Sequence, residues 1–233
     1  MKILIMLLVV TFLSLITIEI CNSFDDSKTH PDLTRIAIKN AHISDYLINQ
    51  LGFLEGTEKQ LTTYWFPTSK TILTWLMQGS TDEDSPTCRA SNHFHDPLKA
   101  WTESYVTDSP AIIQAWCRDV PPVWPQYPNI TWATGYETRG VKLTTPMDRQ
   151  DMNWDNAHGY FYSALTETDH YKRDDYFVKT FRALGQVMHL LEDMAVPAHV
   201  RNDFQSHLAL LSLSLAFDPT AQINVSRYQG ELS

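Results

Sequence analysis

Apolar positions between residues 33 and 51 recur at intervals of three and four, the spacing that places side chains on one face of an α-helix. Thr29, with a proline two positions later, has the composition of a helix start, and Gly52 closes the segment. A second stretch with helical spacing covers about residues 58–78, where Pro67 is expected to kink or divide it. Two helices are therefore predicted in the first third of the chain.

Two more helices are predicted in the carboxyl-terminal half. Residues 154–165 carry apolar and aromatic side chains at helical spacing, and so do residues 177–195. Pro197 is expected to terminate the second of these helices, because proline cannot continue a helix and restricts the residue before it.

Two segments lack any period. Residues 79–97, GSTDEDSPTCRASNHFHDP, are polar and rich in turn-forming residues, which indicates a loop. Residues 118–146 contain five prolines among four tryptophans and tyrosines, which predicts a long Pro/aromatic-rich loop that packs onto the domain. Neither strand alternation nor a fixed repeat is visible. These patterns predict a single compact all-α domain of several helices.

The amino-terminal residues follow a different pattern. Lys2 precedes an uncharged, mostly apolar run over residues 3–18, and small or polar residues follow it. We predict a secretory signal peptide over residues 1–23, whose removal leaves Phe24 as the new amino terminus and residues 24–233 as the helical domain. The chain is then secreted or periplasmic. An uncleaved membrane anchor is the alternative, since a spanning helix needs about twenty apolar residues.

Export changes how the cysteines are interpreted. Only Cys88 and Cys117 lie beyond the predicted signal. An oxidising compartment permits a disulfide between them, and two free thiols are the alternative. Neither has the CxxC or Cys–His spacing of a metal ligand.

Composition limits the classes of function. The chain has 18 lysines and arginines against 27 aspartates and glutamates, a net charge of −9, and so offers no general cationic surface for nucleic acid. Any phosphate chemistry is therefore expected to be held locally, by metal. With 43% hydrophobic and 19% charged residues, the chain is too apolar for a disordered tail.

The helix predicted over residues 177–195 carries a polar stripe. His189 and Asp193 are four residues apart, so both side chains project from one face of the helix, and Arg182 and Gln186 continue that stripe. Polar side chains in an otherwise apolar helix are costly unless they are paired, hydrated or bound to metal. A metal pair and a structural His–Asp hydrogen bond both fit this spacing.

A second concentration of metal-ligand residues lies within the segment 79–97. It contains NHFHDP at 92–97, preceded by the acidic run DED at 82–84. Imidazole nitrogens and carboxylate oxygens are ligands of Zn²⁺, whereas solvated acids and a surface histidine are the alternative. His30, at the predicted start of the first helix, is a third candidate ligand, or else a capping or solvent-facing histidine.

Taken together, the motifs resemble a known family. They are TH at 29–30, GSTDED at 79–84, NHFHDP at 92–97 and MHLLEDMAVPAH at 188–199. In this order they are similar to the motifs of the zinc-dependent phospholipase C and single-strand nuclease superfamily. The resemblance covers most of residues 29–204, with a less matched middle at 100–145. It implies an all-helical fold with a cluster of about two to three zinc ions in a cleft.

The resemblance implies a role for each matched residue. One zinc ion takes four ligands, which are Asp84, His93, His189 and Asp193. Asp84 is also implied to be the catalytic base that orients a metal-bound water. The Asp-Pro pair at 96–97 fixes the register, which favours Asp84 over Asp82. The same register favours His93 over His95.

The remaining ions follow from the same resemblance. Asp193 bridges to a second zinc ion, which it shares with His30 and the amino terminus of Phe24. His199 binds the third zinc ion. His207 is the further candidate ligand there, with amphipathic-helix surface as its alternative role.

Three features depart from the family pattern. Family enzymes begin with a tryptophan, whereas predicted cleavage leaves Phe24. The third zinc normally takes another histidine and an acid four residues later, but the residue four positions after His207 is leucine. The residues after this leucine lack a clear helix pattern. These departures predict a truncated or diverged member with an incomplete third zinc site.

Three functions follow as hypotheses. The first is a secreted zinc-dependent phosphodiester hydrolase, phospholipase C-like, in which metal-activated water attacks a phospholipid at a membrane surface. The second keeps the metal and takes single-stranded nucleic acid as substrate, with Trp124, Tyr127 and Trp132 as stacking platforms. The third is a catalytically inactive zinc-binding helical domain. Three histidines outside the motifs are expected to lie away from the metal: His42, His158 and His170.

Overall fold

Helices make up most of the chain that the structure describes, as the apolar spacing predicts. The computed structural model describes residues 28–65, 67–85, 87–108, 126–138, 141–142 and 150–204. Within these ranges the α-helices are α1 (Thr29–Asn40), α2 (Ile43–Leu51), α3 (Ile72–Asp82), α4 (Asn129–Thr134), α5 (Trp154–Thr166), α6 (His170–Asp193) and α7 (Pro197–Val200). Short 3-10 turns lie at Gly56–Glu58, Thr87–Asn92 and Trp101–Glu103.

The first predicted helix is two helices in the structure. α1 ends at Asn40 and α2 begins at Ile43, because His42 between them takes the left-handed conformation with a φ of 53°. The apolar spacing continues across this break, so periodicity alone does not reveal it. Gly52 ends α2 as predicted, also in the left-handed conformation, and its N–H donates to the carbonyl of Leu47.

The prediction of a helix over residues 58–78 is wrong for the first part of that range. An antiparallel hairpin of β1 (Gln60–Thr62) and β2 (Ser69–Thr71) occupies that part, and α3 follows it directly. Pro67 lies in the connection between the two strands, where its missing N–H removes no ladder hydrogen bond. The hydroxyl of Thr71 then caps α3 by accepting an N–H of the first turn. β-Branched threonines favour an extended backbone, and here they and the proline favour a hairpin over the helix that the apolar spacing predicts.

The segment predicted as a Pro/aromatic-rich loop also contains regular structure. In its described part, α4 is followed by a small hairpin of β3 (Tyr136–Thr138) and β4 (Val141–Lys142). Trp132 on α4 is fully buried, and Tyr127 packs against the same apolar cluster. The described chain is therefore mainly helical with two small two-stranded sheets, which corrects the prediction of a chain without strands.

Pro197 begins a helix rather than ending one. α6 ends at Asp193, and the chain turns through residues 194–196 before Pro197 enters the first turn of α7. Proline is tolerated there because a first-turn N–H has no partner within the helix. The turn brings His199 of α7 beside the end of α6.

α6 is the central helix and packs against both α3 and α5. Gly79 of α3 and Gly185 of α6 face each other, and a Cβ on either would lie 2.1 Å from a backbone carbonyl oxygen of the opposite helix. Only glycine permits so close an approach. The contact holds the C-terminal turn of α3 against the second half of α6, where the polar stripe lies.

Two further observations concern the helices and the cysteines of the described residues. Among the described residues, no helix combines the length and the apolarity that crossing a membrane requires. Cys88 is disulfide-bonded, which is one of the two alternatives for the cysteines. Cys117 and the predicted signal at 1–23 lie outside the described residues.

Candidate metal centre

Five separate elements bring histidine and aspartate side chains to one point. α6 supplies two of them, one turn apart at its C-terminal end, and the turn after α3 supplies an aspartate. The others come from the start of α1, from the residue after the 3-10 turn at Thr87–Asn92 and from α7. These residues are His189, Asp193, Asp84, His30, His93 and His199.

Asp193 is the centre of this group. Its Oδ2 lies 3.0 Å from Nδ1 of His93 and 3.4 Å from Nε2 of His189. Its Oδ1 lies 3.1 Å from Nδ1 of His199 and 3.6 Å from Nε2 of His30. Because the Asp193 side chain is only 1% exposed, four imidazoles surround one buried carboxylate.

Asp84 is the second carboxylate of the group and the one nearest to solvent. Its Oδ1 lies 3.6 Å from Nδ1 of His93 and 3.6 Å from Nε2 of His189. Its side chain is 30% exposed, whereas both histidines are buried. The ring of His189 also stacks on that of His30, with centroids 3.8 Å apart. Solvent therefore reaches the group on the Asp84 side.

The histidines and carboxylates of this group shift one another's pKa values, against the effect of burial. Burial by itself lowers the pKa of His93, but the carboxylates of Asp193 and Glu83 raise it, to about 10. Burial likewise lowers the pKa of His189, and Asp193 and Asp84 outweigh that effect, so the pKa is raised. Burial raises the pKa of Asp193, yet the surrounding histidines hold it well below its usual range. A dication that binds here displaces the imidazole protons.

Glu83 supports His93 from outside the group. Its Oε1 lies 3.5 Å from Nε2 of His93 and accepts a hydrogen bond from Nε1 of Trp132 at 2.7 Å. Its Oε2 accepts from Arg89 at 2.7 Å, and Arg89 also donates to Gln186 of α6. Burial raises the pKa of Glu83, but Arg89 and His93 lower it more. The buried glutamate is therefore a paired, ionised group.

Glu192 and the backbone of Ser80 hold the outer nitrogens of two other histidines. Oε2 of Glu192 lies 2.9 Å from Nδ1 of His30, and its Oε1 accepts a hydrogen bond from the Thr34 hydroxyl at 3.0 Å. The carbonyl oxygen of Ser80 lies 2.7 Å from Nδ1 of His189. In both histidines the other nitrogen, Nε2, is the one that faces Asp193.

This arrangement fits a metal ion. Two groups of three residues place their ligand atoms within 4.8 Å of one another, namely His30–Asp84–His189 and His93–His189–Asp193. Oδ2 of Asp193 is buried and forms no well-aligned hydrogen bond with the described residues, although two imidazole nitrogens lie within 3.4 Å. Buried polar atoms normally have hydrogen-bond partners, so a buried carboxylate oxygen that two imidazole nitrogens approach without an aligned hydrogen bond points to an ion. The buried histidines and aspartates can therefore hold a metal ion.

The structure separates the favoured residues from their neighbours in sequence. Asp82 accepts hydrogen bonds from Arg182 and belongs to neither three-residue group. His95 belongs to neither three-residue group, whereas His93 lies in one of them. Asp84 and His93, by contrast, each belong to a three-residue group.

The remaining predicted ligands divide into three sets. Phe24 and His207 lie outside the described residues. His199 contacts Asp193 but belongs to neither three-residue group. Within the described residues, the three histidines expected to lie elsewhere also belong to neither group: His42, His158 and His170.

The sequence alone does not predict that Glu83, Glu192 and Arg89 hold other site residues in place, although Glu83 lies in the acidic run at 82–84. Both glutamates directly precede a predicted ligand, in the runs DED and LED, and that adjacency is the signal that points to them. A residue next to a ligand lies on its flank, where outer partners of metal-bound histidines are found. Arg89 has no comparable signal, because nothing in its spacing shows that it is buried.

Comparison with known proteins gives no match: no protein-family model, no curated protein and no solved structure is similar to the chain. The assignment of the metal centre therefore rests on the geometry and donor chemistry of the residues themselves.

Proposed function

We propose that this chain is a zinc-dependent phosphodiester hydrolase that acts on phospholipids, like phospholipase C. The proposal is carried by one observation, the buried Asp193 carboxylate surrounded by four imidazoles. A structural His–Asp hydrogen bond needs only one histidine for each aspartate, whereas four histidines face Asp193. The order of motifs along the sequence, which resembles that of the zinc-dependent phospholipase C and single-strand nuclease superfamily, supports the same function.

About two to three zinc ions are the proposed cofactor, because imidazole and carboxylate donors suit zinc better than Mg²⁺ or Ca²⁺. The first ion would take Asp84, His93, His189 and Asp193. The second would take His30, Asp193 and the amine of Phe24. His199 and His207 would hold a third. Zinc bound in this way lowers the pKa of a coordinated water and polarises a phosphoryl oxygen.

Asp84 is the proposed base. It combines contact with two of the buried histidines and a side chain that solvent reaches. Its carboxylate would therefore accept a proton from an entering water and also serve as a ligand of the first ion. Its Oδ1 faces the histidines, which orients the carboxylate toward the proposed ions.

Phospholipid is the proposed substrate class. Exposed apolar side chains occur on both helices that carry His30 and Asp193, namely Leu33, Ile36 and Leu191. Apolar surface near a hydrolytic site suits a lipid aggregate. Trp132, one of the stacking platforms considered for nucleic acid, is fully buried and offers no face to a base.

Hydrolysis assays on the zinc-loaded full chain test this proposal. Phosphatidylcholine vesicles, single-stranded DNA and the generic diester bis(p-nitrophenyl) phosphate are offered separately. We expect release of the phosphorylated head group from the vesicles. We also expect Asp84→Asn to lower kcat by about 100-fold or more, as for loss of a general base. Asp45→Asn, an exposed aspartate on α2, is the matched control and should keep full activity.

Each alternative has its own outcome in these assays. Cleavage of DNA with intact vesicles would replace the lipid by nucleic acid as substrate. No turnover on any of the three, with zinc bound, would contradict the hydrolase and leave an inactive zinc-binding domain.

A further inference from the structure

Two of the site histidines share one arrangement, in which one ring nitrogen faces the central carboxylates and the other is held from outside, and His93 has a carboxylate near its outer nitrogen. Nδ1 of His30 is held by Glu192, Nδ1 of His189 by the Ser80 carbonyl, and Nε2 of His93 faces Glu83 at 3.5 Å. An outer partner of this kind fixes the tautomer and the orientation of a metal-binding imidazole.

Glu192 does more than contact one ring. It precedes Asp193 on α6, so its side chain leaves the helix about 100° away from the Asp193 direction and reaches α1 instead. There one carboxylate oxygen meets His30 and the other accepts from Thr34, one helical turn further along. Both oxygens are therefore committed to α1, and the side chain is only 14% exposed.

We propose that Glu192 is a positioning residue for the metal centre, which holds the proton on Nδ1 of His30 and leaves Nε2 to bind the ion next to Asp193. The proposal rests on the zinc centre proposed above. Glu192 is not itself a ligand in this account, because both of its oxygens are used by α1. It links the first helix to the end of α6, so His30, which is 162 residues away in sequence, is held at the site.

Zinc affinity measured by competition with a chelator tests this role in the full chain. We expect Glu192→Ala to weaken zinc binding by about 100-fold and Glu192→Gln, which keeps an acceptor oxygen, by about 10-fold. Glu103→Gln, an exposed glutamate outside the four motifs, is the matched control and should bind like the natural chain. Circular dichroism shows whether each variant is folded. If Glu192→Ala is not folded, the zinc affinity of Glu192→Gln decides the test.

A second readout separates positioning from mere packing. Long-range ¹⁵N–¹H correlation spectra of the zinc-loaded protein report which nitrogen of His30 carries the proton. We expect a proton on Nδ1 and zinc on Nε2. Zinc on Nδ1 would overturn the proposal, as would unchanged affinity in Glu192→Gln. Loss of a full zinc equivalent in Glu192→Gln would make Glu192 a ligand and also overturn it. If the natural chain binds no zinc, the proposed function fails as well, and this outcome is distinct from the others.

Discussion

Asp193 lies within 3.6 Å of four imidazole nitrogens and is almost completely buried. Its pKa is held well below the usual range by His199, His189 and His93, against the effect of burial. The carboxylate therefore stays ionised. Its negative charge in turn raises the pKa of His93 and of His189. No other aspartate of the described chain faces as many histidines.

Asp193→Asn tests this dependence. The substitution keeps the shape and removes the charge, so the buried imidazoles lose their counter-charge. We expect the free energy of unfolding of the zinc-free protein to fall by about 3–5 kcal/mol, the range for breaking a buried ion pair. Chemical denaturation monitored by circular dichroism measures it.

The same variant should lose bound zinc, which elemental analysis checks. Asp45→Asn is again the matched control, since that side chain is exposed. An Asp193→Asn protein with unchanged stability and unchanged zinc would show that Asp193 is not the centre of the site.

At the residue scale, most of the ligand candidates stand in motifs of histidine and acid, and those motifs are visible in the sequence. His189 and Asp193 are four apart, and the period of an α-helix alone puts them on one face. Glu83 and Glu192 could not be assigned in this way. Their roles depend on Arg89 and on α1, which packing brings from distant parts of the chain.

At the element scale, the site depends on how closely α3 and α6 approach. Gly79 and Gly185 allow the two backbones to touch, and that contact places the end of α3, with Glu83 and Asp84 after it, against His189. A side chain at either glycine would push the helices apart, because the atoms it meets belong to the backbone.

Gly185→Ala is the substitution that tests this contact. Its Cβ would lie 2.1 Å from the carbonyl oxygen of Leu76. We expect the free energy of unfolding to fall by about 1–3 kcal/mol and zinc affinity to fall with it. Denaturant titration and chelator competition measure the two effects.

Gly159→Ala is the control for helix propensity. Gly159 lies in α5 with nothing within 4 Å of an added Cβ, so this variant should gain about 0.5–1 kcal/mol. If Gly185→Ala were as stable as Gly159→Ala, the close contact would have no role in the fold.

Among the elements, the long helices were the most predictable. α5 and α6 have several turns and an apolar face, and α5 matches its predicted range, whereas α6 begins at His170, before the predicted start at residue 177. The hairpin of β1 and β2 was missed because three-residue strands are too short to show alternation. The break at His42 was missed because the apolar spacing continues through a single left-handed residue.

At the scale of the whole molecule, the mainly helical class could be predicted from periodicity, but the meeting point of its helices could not. The site joins residues from position 30 to position 199, and such distances are set by packing rather than by local pattern. The net charge of −9 gives the molecule no general attraction for a phosphate group. Clustered dications at one buried point would supply that attraction locally.

The central claim is that the buried histidines and aspartates bind zinc, and counting the zinc tests it most directly. The full chain is produced with zinc in the medium, purified without chelator and subjected to elemental analysis, with circular dichroism as evidence of folding. The account predicts about two to three zinc ions per chain, and two if the third site is incomplete. A folded, helical protein without bound zinc would contradict the account and leave the cluster as a structural network of histidines and aspartates.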